Sequence, residues 1–362
     1  MLNASDSETR NSKRILIVRL SSMGDVIHAL PAATALRQAF PDAVIGWLIE
    51  ERWAELLCTL PTPRFGPRSP QRPLSDAVHA VNLKRWRSSL LASQTWERIA
   101  ASLSDLRSAH YDVALDLQGA VRSAILARWS GAPVTYGAAK PRENPASLWY
   151  TRKVMTHGTH VVEQYCEIAE AFVGRHMGIP DAVLPCDPLA DEHVMKRLRD
   201  HNLRDFVILN PGAGWGAKQW PAVRYGEVAK QLAQQDIRSI INFGPKEETL
   251  AKEAETASAG TAKAMSFSIS ELIALTRHAH LFIGGDTGPM HLAAALHIPV
   301  VALFGPTDPA RNGPFATRSV VLRNSKSPTS LTHRHDPDPG LLEITVDQVV
   351  AAATQLLEKP RG

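Results

Sequence analysis

Apolar residues fall along this chain in short buried runs that alternate with stretches of helical spacing. Arg14–Leu20 (RILIVRL) is a strand-type run, and Asp25–Phe40 follows it with Val26, Leu30, Ala33 and Leu36 on one helical side. Ala43–Ile49 predicts a second strand, with a second helix from Glu51 onward. Pro61–Pro73 (PTPRFGPRSPQRP) reads as a Pro/Arg-rich loop. Ala77–Val81 and Tyr111–Leu117 predict two more strands, and Val161–Val173 a long helix. After a break at Gly178–Pro188, which holds three prolines, a second series begins. Its strands are Phe206–Asn210, Ile237–Phe243, Leu281–Gly284 and Pro299–Phe304, with helices between them. Asn324–Gly340 reads as loop and Thr345–Leu357 as a last helix. This alternation predicts an α/β protein with parallel sheets covered on both faces. The expected division is a disordered lead-in at 1–13, a first domain at 14–180, a linker at 181–190, a second domain at 191–340 and a terminal helix at 341–362. Two Rossmann-like α/β/α domains facing an interdomain cleft are the expected result. Ligands of such sheets sit beyond the carboxyl ends of the strands, so the turns that follow strands are where chemistry is sought.

The most informative of these turns lies in Leu281–Pro309 (LFIGGDTGPMHLAAALHIPVVALFGPTDP). A strand leads into Gly285-Asp286-Thr287-Gly288, Pro289 suits a first helical position, and Met290–Leu296 is a short helix. A helix start after a glycine-rich turn presents free N–H groups and the positive end of the helix dipole, which suits phosphate or pyrophosphate. Asp286, Thr287 and His291 add polar side chains. The same unit also arises wherever an α/β chain simply reverses, so alone it leaves both readings open. Neither G-x-G-x-x-G nor G-x-x-x-x-G-K-[ST] is present, which disfavours a dinucleotide fingerprint and a P-loop.

Three further blocks carry candidate chemistry. Asn210–Lys218 (NPGAGWGAK) places three glycines and a Lys after a strand, which suits a diphosphate or is a solvated loop with an incidental Lys. Ser21-Ser22-Met23-Gly24-Asp25 follows the first strand. Asp25 there is either a helix N-cap or a carboxylate placed to take a proton from a bound hydroxyl, with small residues that let substrate approach the backbone. Lys84-Arg85-Trp86-Arg87 is either a solvated face or a clamp for an acidic acceptor, joined by Arg122 and Arg142. Asp336-Pro337-Asp338, with His333 and His335, has the look of a D-x-D metal site, but its Pro-rich surroundings predict an exposed loop. No carboxylate pair or Ser–His–Asp order points to hydrolysis.

Composition narrows this picture only modestly. The chain has 362 residues, 44% hydrophobic and 21% charged, as in globular proteins with room for two domains. The net charge of +4 belongs to the first half: residues 1–185 carry 21 Lys and Arg against 17 Asp and Glu, and residues 186–362 carry 19 of each. That excess favours an acidic substrate or an anionic membrane surface and is too mild for nucleic acid. Cys58, Cys166 and Cys186 show no metal or redox spacing, which fits a reducing cytoplasm. No signal-peptide core and no run of about 18 apolar residues occurs, so any membrane contact is expected to be peripheral.

Taken in order, RLSSMGDVIHALPA, NPGAGWGAKQWP and GGDTGPMHLAAALHIPVVALFGPTDP resemble the ADP-heptose:lipopolysaccharide heptosyltransferases of glycosyltransferase family 9, over Arg14 to about Pro309. KRWR at 84–87, DLQGAVRSA at 116–124 and PRENPASLWYTRK at 141–153 are similar to the heptosyltransferase I branch. The resemblance implies a GT-B fold and an inverting, metal-independent transfer of heptose from ADP-heptose to a Kdo residue of Kdo2-lipid A, with no cofactor. It places the acceptor on the first domain and the nucleotide sugar on the second. It implies that Asp25 is the general base. Donor binding is implied for Ser22, Met23, Gly24, Gly212, Ala213, Gly214, Lys218, Phe267, Asp286, Thr287, Gly288, Pro289 and His291, with Phe267 against adenine. Acceptor binding is implied for Lys84, Arg85, Arg87, Gln118, Arg122 and Arg142. It also implies a monomer at the cytoplasmic face of the inner membrane. The chain departs from the pattern at Lys246, where a glutamate would reach the donor ribose and Glu247 or Glu248 stands beside it. It departs again at 212–217, where Gly and Ala replace hydroxyl residues. Another nucleotide-sugar donor, an epimerase activity, or binding without catalysis are the alternatives that a donor panel and calorimetry separate.

Overall fold

In the computed structural model, residues 12–88, 92–330 and 336–358 are described. The expected lead-in at 1–13 falls almost wholly outside them. The chain divides into two compact units, 1–186 and 187–362. Helix Pro188–Asp200, capped by Asp187, therefore starts inside the stretch 181–190 expected to be linker.

The first unit is one parallel sheet of β1 (Arg14–Val18), β2 (Val44–Glu50), β3 (Ala77–Val81), β4 (Val113–Asp116), β5 (Val134–Ala138) and β6 (Arg152–Val154). Their order is β3-β2-β1-β4-β5-β6. In the second unit β7 (Phe206–Asn210), β8 (Arg238–Phe243), β9 (Ala262–Ser266), β10 (Leu281–Gly285), β11 (Val300–Phe304) and β12 (Ser319–Arg323) form a second parallel sheet. Their order, β12-β11-β10-β7-β8-β9, repeats the first topology. In each sheet the order reverses at the middle pair, β1/β4 and β7/β10, which opens a crevice at the carboxyl ends there.

The expected strands are all present, because a parallel strand buried on both faces must be apolar throughout. All but the first residue of β1 and every residue of β7, β10 and β11 is buried. On one side of the first sheet Leu16, Val18, Leu48 and Ala114 meet Leu106 and Leu126, while helices Met23–Ala39 and Val161–Val173 pack against each other. In the second unit the terminal helix Val346–Glu358 shares one core with Val207, Leu209, Ile283, Val301 and helix Ala222–Ala233.

β5, β6, β9 and β12 carry no strand expectation. Three of the four are edge strands, half exposed and mixed in polarity, so the apolar-run signal fails on them. The helix expected from Glu51 onward is a short 3₁₀ segment, Glu51–Leu56. The helix expected at Met290–Leu296 spans Gly288–Ala295, with Thr287 as N-cap and Pro289 at its second position.

Candidate functional site

At the switch point of the first sheet, the loop after β1 meets the loop after β4. Ser22 caps helix Met23–Ala39, and Asp25 is that helix's third residue rather than its cap. Asp25 Oδ2 accepts from the Ser22 N–H and from Ser22 Oγ, both at 2.9 Å. The other oxygen, Oδ1, pairs with Arg19 Nη2 at 2.6 Å. Arg19 is 3% exposed, and its Nη1 donates to the Leu117 carbonyl beyond β4 at 2.9 Å. Its guanidinium also lies 5.2 Å from the Tyr165 ring centroid. Burial disfavours a charged guanidinium, but Asp25, Tyr165 and Asp116 together outweigh it and raise its proton affinity. The Leu20 N–H donates to Gln118 Oε1 at 2.8 Å, so a guanidinium and an amide stitch the two loops together. Behind them the buried Asp116 accepts from Tyr150 Oη at 2.7 Å, Ser123 Oγ at 2.9 Å and the Gln118 N–H at 2.9 Å. Burial raises the Asp116 carboxyl against those bonds, and burial beside Asp116 raises the Tyr150 phenol.

The expected acceptor residues fall into two groups. Gln118 is buried, while Arg122, exposed in the first turn of helix Val121–Trp129, and Arg142, exposed on the loop after β5, are brought together through one glycine turn. Gly119 has φ +67°, and the Glu143 N–H donates to its carbonyl at 2.9 Å. Glu143 Oε2 in turn accepts from the Val121 N–H at 2.8 Å. A Cβ at Gly119 would meet the Arg142 backbone nitrogen at 3.0 Å, so the turn needs glycine on both counts. Lys84 and Arg85 are exposed on the separate short helix Leu83–Ser88 that follows β3. The Arg87 side chain lies outside the described residues. Met23 and Gly24 are buried in the first helical turn, while Ser22 is exposed.

In the second unit the loops after β7 and β10 meet at the other switch point. Lys218 Nζ pairs with Asp286 Oδ2 and approaches the Asp286 carbonyl at 3.3 Å. The same ammonium sits 4.4 Å over the Trp215 ring, and His291 Nε2 lies 3.1 Å from Asp286 Oδ1. Lys218 is 12% exposed, and Asp286 and His291 are 6% exposed. Burial alone would raise the Asp286 carboxyl; the His291 bond and the Lys218 charge overcome it and hold the carboxyl well below its usual range. Thr287 Oγ1 donates to the Gly285 carbonyl at 3.2 Å. Half-buried Thr287, Gly288 and Pro289 form the start of helix Gly288–Ala295. Gly212 is buried, Ala213 half-buried and Gly214 exposed. A Cβ at Gly212 would overlap the Glu247 carboxyl, which also accepts from the Gly244 N–H at 2.8 Å. Burial raises the Glu247 carboxyl. Of the residues beside Lys246, Glu247 therefore faces the glycine loop, whereas Glu248 is exposed.

Phe267 is half-buried, with the Arg197 guanidinium 4.3 Å above its ring. The expectation of an exposed loop at 336–338 holds for Asp336 and fails for Asp338, which is 6% exposed and caps helix Pro339–Leu342. Asp338 Oδ1 accepts from Ser327 Oγ at 2.5 Å and the Leu341 N–H at 3.0 Å, bonds that explain its burial. His333 and His335 lie outside the described residues. Among the described residues no group of three His, Cys, Asp or Glu side chains converges, and no helix is long and apolar enough to cross a membrane.

Sequence reasoning passed over Arg19, Trp215 and the Asp116–Tyr150 pair. Arg19 left a usable signal. An Arg within a run expected to be buried needs a carboxylate partner, and Asp25 is the nearest acid that follows it.

Residues 99–341 match the family model of glycosyltransferase family 9 (heptosyltransferase). The chain is 31% identical to lipopolysaccharide heptosyltransferase 1 of Pseudomonas aeruginosa, over 85% of this chain and 83% of that protein. To lipopolysaccharide heptosyltransferase 1 of Escherichia coli K12 it is 29% identical, over 86% and 93%. It also superimposes on the E. coli heptosyltransferase WaaC solved with ADP-2-deoxy-2-fluoro heptose. The TM-score is 0.74 and the identity 26%, with 94% of this chain and 99% of that one covered. The two six-stranded parallel sheets are thus those of a GT-B enzyme, and the chain belongs to glycosyltransferase family 9, the heptosyltransferases.

Proposed function

We propose that this glycosyltransferase moves heptose from ADP-L-glycero-D-manno-heptose to a Kdo residue of Kdo2-lipid A, with inversion, in building the inner core of lipopolysaccharide. The observation that carries the reading is the Lys218–Asp286–His291 cluster at the carboxyl-end crevice of the second sheet. It occurs in a chain similar, over nearly its whole length, to an enzyme solved with an ADP-heptose analogue. A Lys ammonium has three donors. Two of those of Lys218 point at Asp286, and the third serves a diphosphate oxygen. The start of helix Gly288–Ala295 adds backbone N–H groups and the positive end of its dipole. Phe267, Gly212, Ala213 and Gly214 complete the donor side. Ser22, Met23 and Gly24 of the first unit also bind the donor, and Lys84, Arg85, Arg87, Gln118, Arg122 and Arg142 receive the acidic acceptor.

Asp25 takes the proton of the acceptor hydroxyl. That oxygen bonds to the anomeric carbon as the bond to the β-phosphate oxygen breaks, and the electron pair leaves with ADP. Such a displacement needs one base and a stabilised leaving group, not the two carboxylates of a glycosidase. No metal enters this scheme, so turnover is expected to survive EDTA. We further propose a monomer that works at the cytoplasmic face of the inner membrane through peripheral contact, consistent with the basic excess of residues 1–185.

The deciding experiment is incubation with ADP-heptose and Kdo2-lipid A followed by mass spectrometry, which should show acceptor heavier by one heptose. Turnover confined to another nucleotide sugar, or calorimetric binding without product, would overturn the reading. Asp25→Ala should bind ADP-heptose and give no product; full turnover by that variant removes Asp25 as the base.

A further inference from the structure

We infer that Arg19 is a positioning residue of the transfer. Buried between the two switch-point strands, it grips the Asp25 carboxylate and the Leu117 carbonyl at once and so holds the base at the edge of the crevice. The inference rests on the reading of Asp25 as the base.

Arg19 follows directly on the apolar strand β1, yet its side chain is charged and almost wholly buried. Taking a guanidinium out of water is repaid only by close ion-pair geometry and further hydrogen bonds, and an apolar side chain of similar volume often serves stability as well or better. Arg19 has the close pair, at 2.6 Å, and one carbonyl bond, at 2.9 Å. Its Nε–H is buried and has no partner among the described residues. That unsatisfied donor adds to the cost of burying this side chain.

Geometry shows what the arrangement achieves. Ser22 holds Oδ2 from the helix side and Arg19 holds Oδ1 from the strand side, so the carboxylate is fixed from both directions. The planar fork spans the two acceptors with separate nitrogens, Nη2 to Asp25 Oδ1 and Nη1 to the Leu117 carbonyl, in a fixed geometry that a flexible ammonium does not reproduce. The groups around this pair are Tyr165 on helix Val161–Val173 and Asp116 on β4, with Ser22 at the cap. One turn beyond Asp25, His28 meets His160 edge-on at 5.3 Å. During transfer the acceptor proton moves to Asp25, and the ion pair becomes a neutral acid beside a cation. The 30% of the Asp25 side chain that is exposed gives that proton a route to solvent.

The test is a pH–rate profile of the full chain with ADP-heptose and Kdo2-lipid A, for wild type, Asp25→Asn, Arg19→Lys and Arg19→Met, each checked for folding by circular dichroism. Arg19→Met should lower kcat roughly 10- to 100-fold, less than the 10²- to 10⁴-fold that a general base supplies, at an unchanged donor KM. Its acidic limb should move up by about one pH unit, because a nearby cation favours the ionised carboxylate. Arg19→Lys keeps the charge but not the fork, so its acidic limb should stay in place while kcat falls roughly tenfold. If Asp25→Asn turns over normally, the base reading falls and this inference falls with it. If Asp25→Asn is inactive but both Arg19 variants keep the wild-type kcat and profile, the inference alone is wrong. If Arg19→Met does not fold, wild-type kcat in Arg19→Lys overturns it.

Discussion

Replacing Asp286 with Asn tests whether the cluster in the second unit is a true buried ion pair. The substitution keeps the shape and removes the charge that faces Lys218 and His291. Removing one partner of a buried pair costs about 3–5 kcal/mol. Lys218 retains 12% exposure and can turn partly toward water, so the lower end, about 3 kcal/mol, applies. For a unit of this size each kcal/mol moves Tm by roughly 2–4 °C, which predicts a fall of about 6–12 °C at pH 7. The sign of the pH dependence follows from the depressed Asp286 carboxyl. Its contribution is complete above the unfolded carboxyl value of about 4 and is lost as pH falls toward the lower folded value. Wild type and variant should therefore converge in acid. Calorimetric melts at pH 7, 5, 4 and 3 measure both effects. A Tm difference under about 1 °C at pH 7, or a gap that widens as pH drops, would refute the pairing as a source of stability.

Three further outcomes follow from the same geometry. Gly212→Ala puts a methyl group into the Glu247 carboxyl and should destabilise by about 1–3 kcal/mol, while adding Glu247→Ala should recover most of the loss in thermal melts. Lys218→Met should weaken ADP binding by roughly 10- to 150-fold in titration calorimetry, the value of about 1.5–3 kcal/mol for one charge-assisted bond; equal affinity would separate Lys218 from the donor phosphates. Asp338→Ala removes the cap of Pro339–Leu342 and the Ser327 bond, and should cost about 1–2 kcal/mol in denaturant unfolding with no change in the slope m.

The central strands were legible because burial on both faces leaves them nothing but apolar residues. β1, β7, β10 and β11 read as continuous runs, and the turns after them point to the crevice on topology alone. β6 and β12 were not legible, because an edge strand exposes one side and tolerates charge. The Asp25 loop, the glycine loop ending at Lys218 and the Asp286 turn were each visible as short motifs, but their chemistry stayed ambiguous one at a time. Asp25 could be read as a cap; the neighbouring Ser22 takes that place, which leaves the Asp25 carboxylate for Arg19.

By itself, then, the sequence determined the alternation of strands and helices, the two parallel sheets, the family, and the loops on which any site must lie. These depend on local apolar runs and on backbone freedom at particular glycines and prolines, which are properties of neighbouring residues. Tertiary structure alone decided the pairings. Lys218 meets Asp286 across 68 residues and Arg19 meets Leu117 across 98. Glu247 closes on Gly212, and Asp338 turns inward instead of out. The first three of these contacts join loops that only the parallel strand order brings side by side, Asp338 turns in on Ser327 within one segment, and the energies of all four depend on burial that no local pattern encodes.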